Sequence, residues 1–102
     1  MIYQLVLPRS MEDIEEFSIL EWHAAEGEPV AADGLLVELE TQKAVLQVRS
    51  SGPVVMRRRL CPTGEWRRLG EPIALLSDRA EEILHDEATA DLPKLSIDVD
   101  LG

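Results

Sequence analysis

Leu35-Leu36-Val37-Glu38-Leu39-Glu40-Thr41-Gln42-Lys43-Ala44-Val45-Leu46-Gln47-Val48 is the stretch on which the reading of this chain turns. Two β-rich runs, Leu35 to Leu39 and Ala44 to Val48, are joined by a few polar residues, a separation that suits a tight hairpin and places Lys43 at its exposed tip. In the second run Ala44, Leu46 and Val48 share one face while Val45, Gln47 and Arg49 take the other. Only one of these faces is plainly apolar, as expected of a sheet covered on one side.

Working outward, further short runs are separated by Gly, Pro and Asp at spacings too tight for helices. The candidate strands are Ile2 to Leu7, Ser18 to His23, Val54 to Leu60 and Pro72 to Leu76. Together they predict a small all-β sandwich or barrel. Gly27-Glu28 recurs as Gly64-Glu65, and Leu36 and Leu39 recur as Ile73 and Leu76, all at an offset of 37, which implies two similar halves. The echo of Gly-Glu-Pro at 27–29 and 70–72 has a different offset and reads as chance.

Residues 78–102 hold eight acids and two bases, so the composition changes near Ser77. The folded module is therefore expected over 1–77, with 78–102 as an acidic appendage or linker. Residues 77–90 could start a short helix capped by Ser77 or Asp78, with Ala80, Ile83, Leu84 and Glu87 along one side. After Pro93, Leu95, Ile97, Val99 and Leu101 alternate with Ser96, Asp98 and Asp100. That alternation reads as an edge strand, as a strand donated to a partner, or as a disordered tail, and the lack of anything evident to pack against favours the tail.

A formal charge of −10 argues against nucleic acid and anionic membrane surfaces as partners. No run approaches the roughly 20 apolar residues needed to span a bilayer, and the N-terminus has no signal-peptide pattern, so a cytoplasmic location is expected. Aromatics are scarce, which makes Tyr3, Phe17, Trp22 and Trp66 the expected large core fillers. The single Cys61, with no identifiable base beside it, reads as a small filler or a surface thiol. His23 and His85 have no second ligand at a recognised metal-site spacing, and there is neither a nucleophile with its base nor a Gly-rich phosphate loop.

Lysines are common in exposed turns, so the tip alone names no chemistry. Its surroundings do more. Glu40-Thr41-Gln42-Lys43-Ala44 resembles the Glu-Thr-Asp-Lys-Ala segment of lipoyl domains, the carriers of 2-oxoacid dehydrogenase complexes. The resemblance extends from about residue 3 to 77 through Leu7-Pro8-Arg9-Ser10-Met11, Trp22, Glu26-Gly27-Glu28-Pro29-Val30, Leu36, Leu39, Gly52, Gly64, Gly70, Pro72 and Ile73. It implies a flattened β-barrel of two four-stranded antiparallel sheets related by a pseudo-twofold, a barrel-sandwich hybrid with the lysine at one end.

It further implies that Lys43 carries lipoate in amide linkage, while Glu40, Thr41, Gln42 and Ala44 shape the turn and help partners recognise it. An alkylammonium is almost wholly protonated at neutral pH, so a lipoate-attaching enzyme must bring an activated acyl group. The other implied partners are dehydrogenase, acyltransferase and flavin-dependent dihydrolipoamide dehydrogenase components. The chain itself would be a carrier and not an enzyme. Two other readings stay open: a biotin carboxyl carrier, although that family usually brackets its lysine with methionines, and an unmodified lipoyl-like adaptor.

Several positions depart from the family pattern. Gln42 stands where the family has Asp, and Asp33-Gly34 reverses the usual Gly-Asp order, which moves glycine's tolerance of positive φ by one position. The chain is about three residues longer between Met11 and Trp22, through Glu12-Asp13-Ile14-Glu15-Glu16, on a stretch expected to flank the lysine hairpin. Arg67 takes a usually apolar place whose packing Trp66 could supply. With Arg57, Arg58, Arg59 and Arg68 it gathers five of ten basic residues into twelve positions, either a docking patch or a solvated strand face.

Overall fold

A computed structural model describes residues 1–9, 14–84 and 91–102 as nine strands: β1 (Ile2–Leu5), β2 (Glu16–Trp22), β3 (Pro29–Val30), β4 (Leu35–Glu40), β5 (Val45–Ser50), β6 (Val54–Arg59), β7 (Trp66–Arg68), β8 (Ala74–Ser77) and β9 (Ile97–Leu101). They form two antiparallel sheets, ordered β1-β8-β6-β3 and β7-β2-β4-β5-β9. The inner faces of both sheets meet in one core that includes Leu5, Leu7, Phe17, Ile19, Leu36, Leu39, Met56, Ile73 and Leu76. Alternation places them there. β5 buries Leu46, Val48 and Ser50 and turns Val45, Gln47 and Arg49 outward. In β4 a register shift between Leu35 and Val37 breaks the alternation, which is how the consecutive Leu36 and Val37 are both fully buried.

The half-repeat of the sequence is a repeat of hydrogen bonds. Gly27 N–H donates to Met56 O (2.6 Å), and Gly64 N–H donates to Ile19 O (2.8 Å), the same bond with the halves exchanged. His23 N–H to Leu36 O recurs as Leu60 N–H to Ile73 O, both 2.9 Å. Both repeated glycines have positive φ, 89° and 86°, so each turn needs a residue without a Cβ penalty. Asp33 (φ 65°) is matched at the same offset by Gly70 (φ 87°). The left-handed position has therefore stayed where it was and is filled by Asp, a residue that tolerates it better than most. Gly34 has a different task, since a Cβ there would lie 2.5 Å from Val30 Cγ1 and 2.7 Å from Ala31 O.

The structure corrects several sequence expectations. β3 and β7, only two and three residues long, lie outside the candidate strands. The second sheet has five strands and not four, because Ile97–Leu101 pairs with β5 over five residues. The favoured reading of this segment as a disordered tail is thus overturned. What it packs against comes from far away in sequence: Leu95 enters the core, Leu95 N–H donates to Gln4 O (2.8 Å), and Gln4 Nε2 donates to Leu92 O (2.7 Å). The helix expected over 77–90 is absent from 77–84, which form strand end and turns; its remainder lies outside the described residues.

Trp66 is not a core filler. It is 46% exposed on β7, opposite Ser18. Phe17 is fully buried, and Trp22 packs against the core while its indole N–H donates to Cys61 O (3.0 Å). Arg67 points to the inner side opposite Phe17 and pairs with Glu65 (2.5 Å) and Glu71 (3.8 Å), so charge pairing and not Trp66 accommodates it.

Candidate functional site

The β4–β5 hairpin closes on the pair Glu40–Val45, leaving Thr41, Gln42, Lys43 and Ala44 as its turn. Thr41 locks this turn. Its backbone N–H and its hydroxyl both donate to Ala44 O (2.9 Å each), and its Oγ1 accepts the N–H groups of Lys43 (3.2 Å) and Ala44 (3.0 Å). Thr41 is buried, whereas Gln42 and Lys43 are exposed and Ala44 is half-buried. The turn backbone is thus fixed from within while Gln42 and Lys43 stand at the surface, which presents an amine at a reproducible position. Leu39 and Leu46, a cross-strand pair on the inner face, anchor the hairpin in the core.

All five residues assigned to the turn from sequence lie together here. An open groove of about 590 Å³ is bordered by Ile14, Glu15 and Glu16 on one side and Thr41 and Gln42 on the other. The described part of the longer acidic segment therefore does flank the lysine hairpin; Ser10 to Asp13 lie outside the described residues.

Two other sequence expectations end differently. Glu21 and Glu38 meet His23, whose Nε2 lies 3.3 Å from Glu21 Oε2 and 2.6 Å from Glu38 Oε1, the three groups lying within 4.8 Å of one another. His23 therefore has carboxylate company that spacing did not reveal, because Glu38 arrives on the neighbouring strand. The arginines divide between the sheets: Arg57 on β6 donates to Ser77 Oγ (3.0 Å) and Arg67 on β7 is held by Glu65. Cys61 is buried in the core, and burial pushes its thiol up, away from the reactive thiolate.

Two stacked antiparallel sheets related half to half, with an exposed lysine on a locked hairpin, make a β module that presents one amine at its surface. The biotin/lipoyl-attachment family model, described as "Biotin-requiring enzyme", matches residues 3–76, and the chain belongs to this family. It is 38% identical over 50 residues to the dihydrolipoyllysine-residue succinyltransferase component of the 2-oxoglutarate dehydrogenase complex of Rickettsia felis, covering 49% of this chain and 12% of that protein. With the corresponding succinyltransferase component of Azotobacter vinelandii it shares 30% over 78 residues, 76% of this chain and 20% of the relative. With the dihydrolipoyllysine-residue acetyltransferase component of the pyruvate dehydrogenase complex of Zymomonas mobilis it shares 26% over 91 residues, 88% and 21% respectively. The chain spans only about an eighth to a fifth of the length of these relatives.

Proposed function

We propose that the chain is a lipoyl carrier domain in which Lys43 is the attachment point for lipoate, serving a 2-oxoacid dehydrogenase type of complex. The observation that carries this reading is the exposed Lys43 on a turn held by four hydrogen bonds involving Thr41, at the end of a core-anchored hairpin. These residues fit an amide-linked arm. The Lys43 side chain is exposed, and its amine forms an amide with an activated acyl group by losing a proton as the acyl carbon loses its leaving group. Lys43 would hold lipoate through an amide, and the bound dithiolane would supply a site for acyl transfer and two-electron redox chemistry, to be reoxidised by a flavin-dependent dihydrolipoamide dehydrogenase once the acyl group has passed to its acceptor.

What the protein does is present and orient. The locked turn limits the arm's freedom to the lysine side chain and the group beyond it, which reduces the ordering cost when a partner active site takes it up. The domain carries the group and leaves the chemistry to its partners. The relatives' membership of pyruvate and 2-oxoglutarate dehydrogenase complexes supports dehydrogenase and acyltransferase partners. An amide-linked arm would in addition require a lipoate-attaching enzyme. The expected location is the cytoplasm.

Intact-mass measurement after incubation with a lipoate-attaching enzyme, ATP and lipoate tests the reading. One lipoyl increment, lost in Lys43→Arg, is expected. A biotinyl increment with a biotin-attaching enzyme would favour the biotin carrier, and an unshifted mass with both would leave the adaptor reading.

A further inference from the structure

The outer face of the five-stranded sheet carries an aromatic residue that the fold does not use. Trp66 stands opposite Ser18, Ser18 opposite Glu40, and Glu40 opposite Val45, so all four lie in one row across the sheet on the same face. Glu40–Val45 is the pair that closes the Lys43 turn. With strands about 4.8 Å apart, Trp66 lies roughly 10 Å from Glu40. The residue is 46% exposed, and its indole N–H makes no hydrogen bond to any described residue, in contrast to the indole of Trp22. Leu20, 42% exposed in the bulge of β2, adds apolar surface.

Charge surrounds this patch. The register turns Glu16, Glu21, Glu38, Glu40, Asp98 and Asp100 to the same face, against Arg49 and Arg68. Two of those acids come from β9, so the C-terminal strand extends the face and makes it more acidic.

We infer that this face is the surface on which a protein partner rests while it takes the Lys43 arm, with Trp66 as the anchor, and that the partner's matching surface is an apolar pocket within a basic rim. The inference rests on the carrier reading. Three observations support it: the face is continuous with the lysine turn, so a partner enclosing the arm must come close to it; its charge complements a basic surface; and a half-exposed tryptophan within a polar surround is the residue type that dominates protein–protein affinity. A second copy of the chain is the poorer occupant, because two such faces would oppose like charges.

The test uses the lipoylated full chain as substrate for the decarboxylating dehydrogenase components of a pyruvate and a 2-oxoglutarate complex, with reductive acylation followed by mass and free lipoamide as a substrate lacking the face. Trp66→Ala is expected to raise KM for the domain about 30-fold in the preferred pairing with kcat little changed, and Trp66→Phe to retain most of the affinity. The wild-type KM should rise with salt, while the KM for free lipoamide, which lacks the charged face, should change little with salt. A Trp66→Ala domain that melts like wild type and keeps the wild-type KM would overturn the docking surface. So would a Trp66-dependent dimer in light scattering. A wild-type chain that is never lipoylated would overturn the carrier reading itself, and this inference with it; a chain that is loaded and acylated without regard to Trp66 would overturn the inference alone.

Discussion

Thr41 shows how much one side chain can do in a four-residue turn. Its hydroxyl is both donor and acceptor within the turn, and no apolar residue of the same shape can replace it. Thr41→Val should destabilise the domain by about 1 kcal/mol, the usual net worth of a hydrogen-bonded hydroxyl, whereas Thr41→Ser should recover most of the loss. Urea denaturation reads the difference, and faster amide exchange at Lys43 and Ala44 in the Val variant would locate it; unchanged exchange would show that the turn is held by other means. Asp33 is the complementary case. The reversed Asp33-Gly34 order is visible in sequence, yet only the backbone shows that Asp33 takes the left-handed conformation, because the half-repeat requires it at the place Gly70 fills in the second half.

At the level of elements, β9 is the instructive strand. Its alternation was legible, but its attachment was not. An alternating segment with acids on one face is compatible with a solvated tail until β5 supplies an edge, the core supplies a place for Leu95, and Gln4 supplies hydrogen bonds to the connecting segment. β5 and Gln4 lie more than 40 residues away in sequence, and no local pattern reports them. Leu95→Ala should cost about 2–3 kcal/mol, toward the low end for a buried leucine since the site lies near the sheet margin. A loss below 0.5 kcal/mol in chemical denaturation would mean that β9 is not part of the cooperative unit. Short strands were the other blind spot: β3 and β7 have too few residues for alternation to register. The scarcity of aromatics points Trp66 to the core, whereas its place on β7 opposite Ser18 turns it outward.

For the molecule as a whole, both sheets share one core, so its interior should open only in a global event. Cys61 is a built-in probe of that event. Its thiol is buried and held up by desolvation, so it should resist iodoacetamide at pH 8 in the native chain and react within minutes in urea. The linkage has a definite sign. The folded chain keeps the thiol proton to higher pH than the unfolded chain does, so this group lowers stability as pH rises above the unfolded thiol pKa, and Cys61→Ala should flatten the alkaline limb of the stability profile. Fast labelling of the native chain at pH 8 would show that the core opens locally at Cys61.

The sequence by itself determined the all-β class, the two related halves and the lysine hairpin, because alternation, turn glycines and a repeat offset are local or periodic signals. The turn residues Glu40 to Ala44 were legible for the same reason. Only the tertiary structure decided that Ile97–Leu101 completes the lysine-bearing sheet, that Glu21 and Glu38 converge on His23, and that Trp66 faces outward in the row that closes the Lys43 turn. Those facts depend on strand order and register, which are fixed by contacts between residues distant in sequence and are written in no single stretch of it.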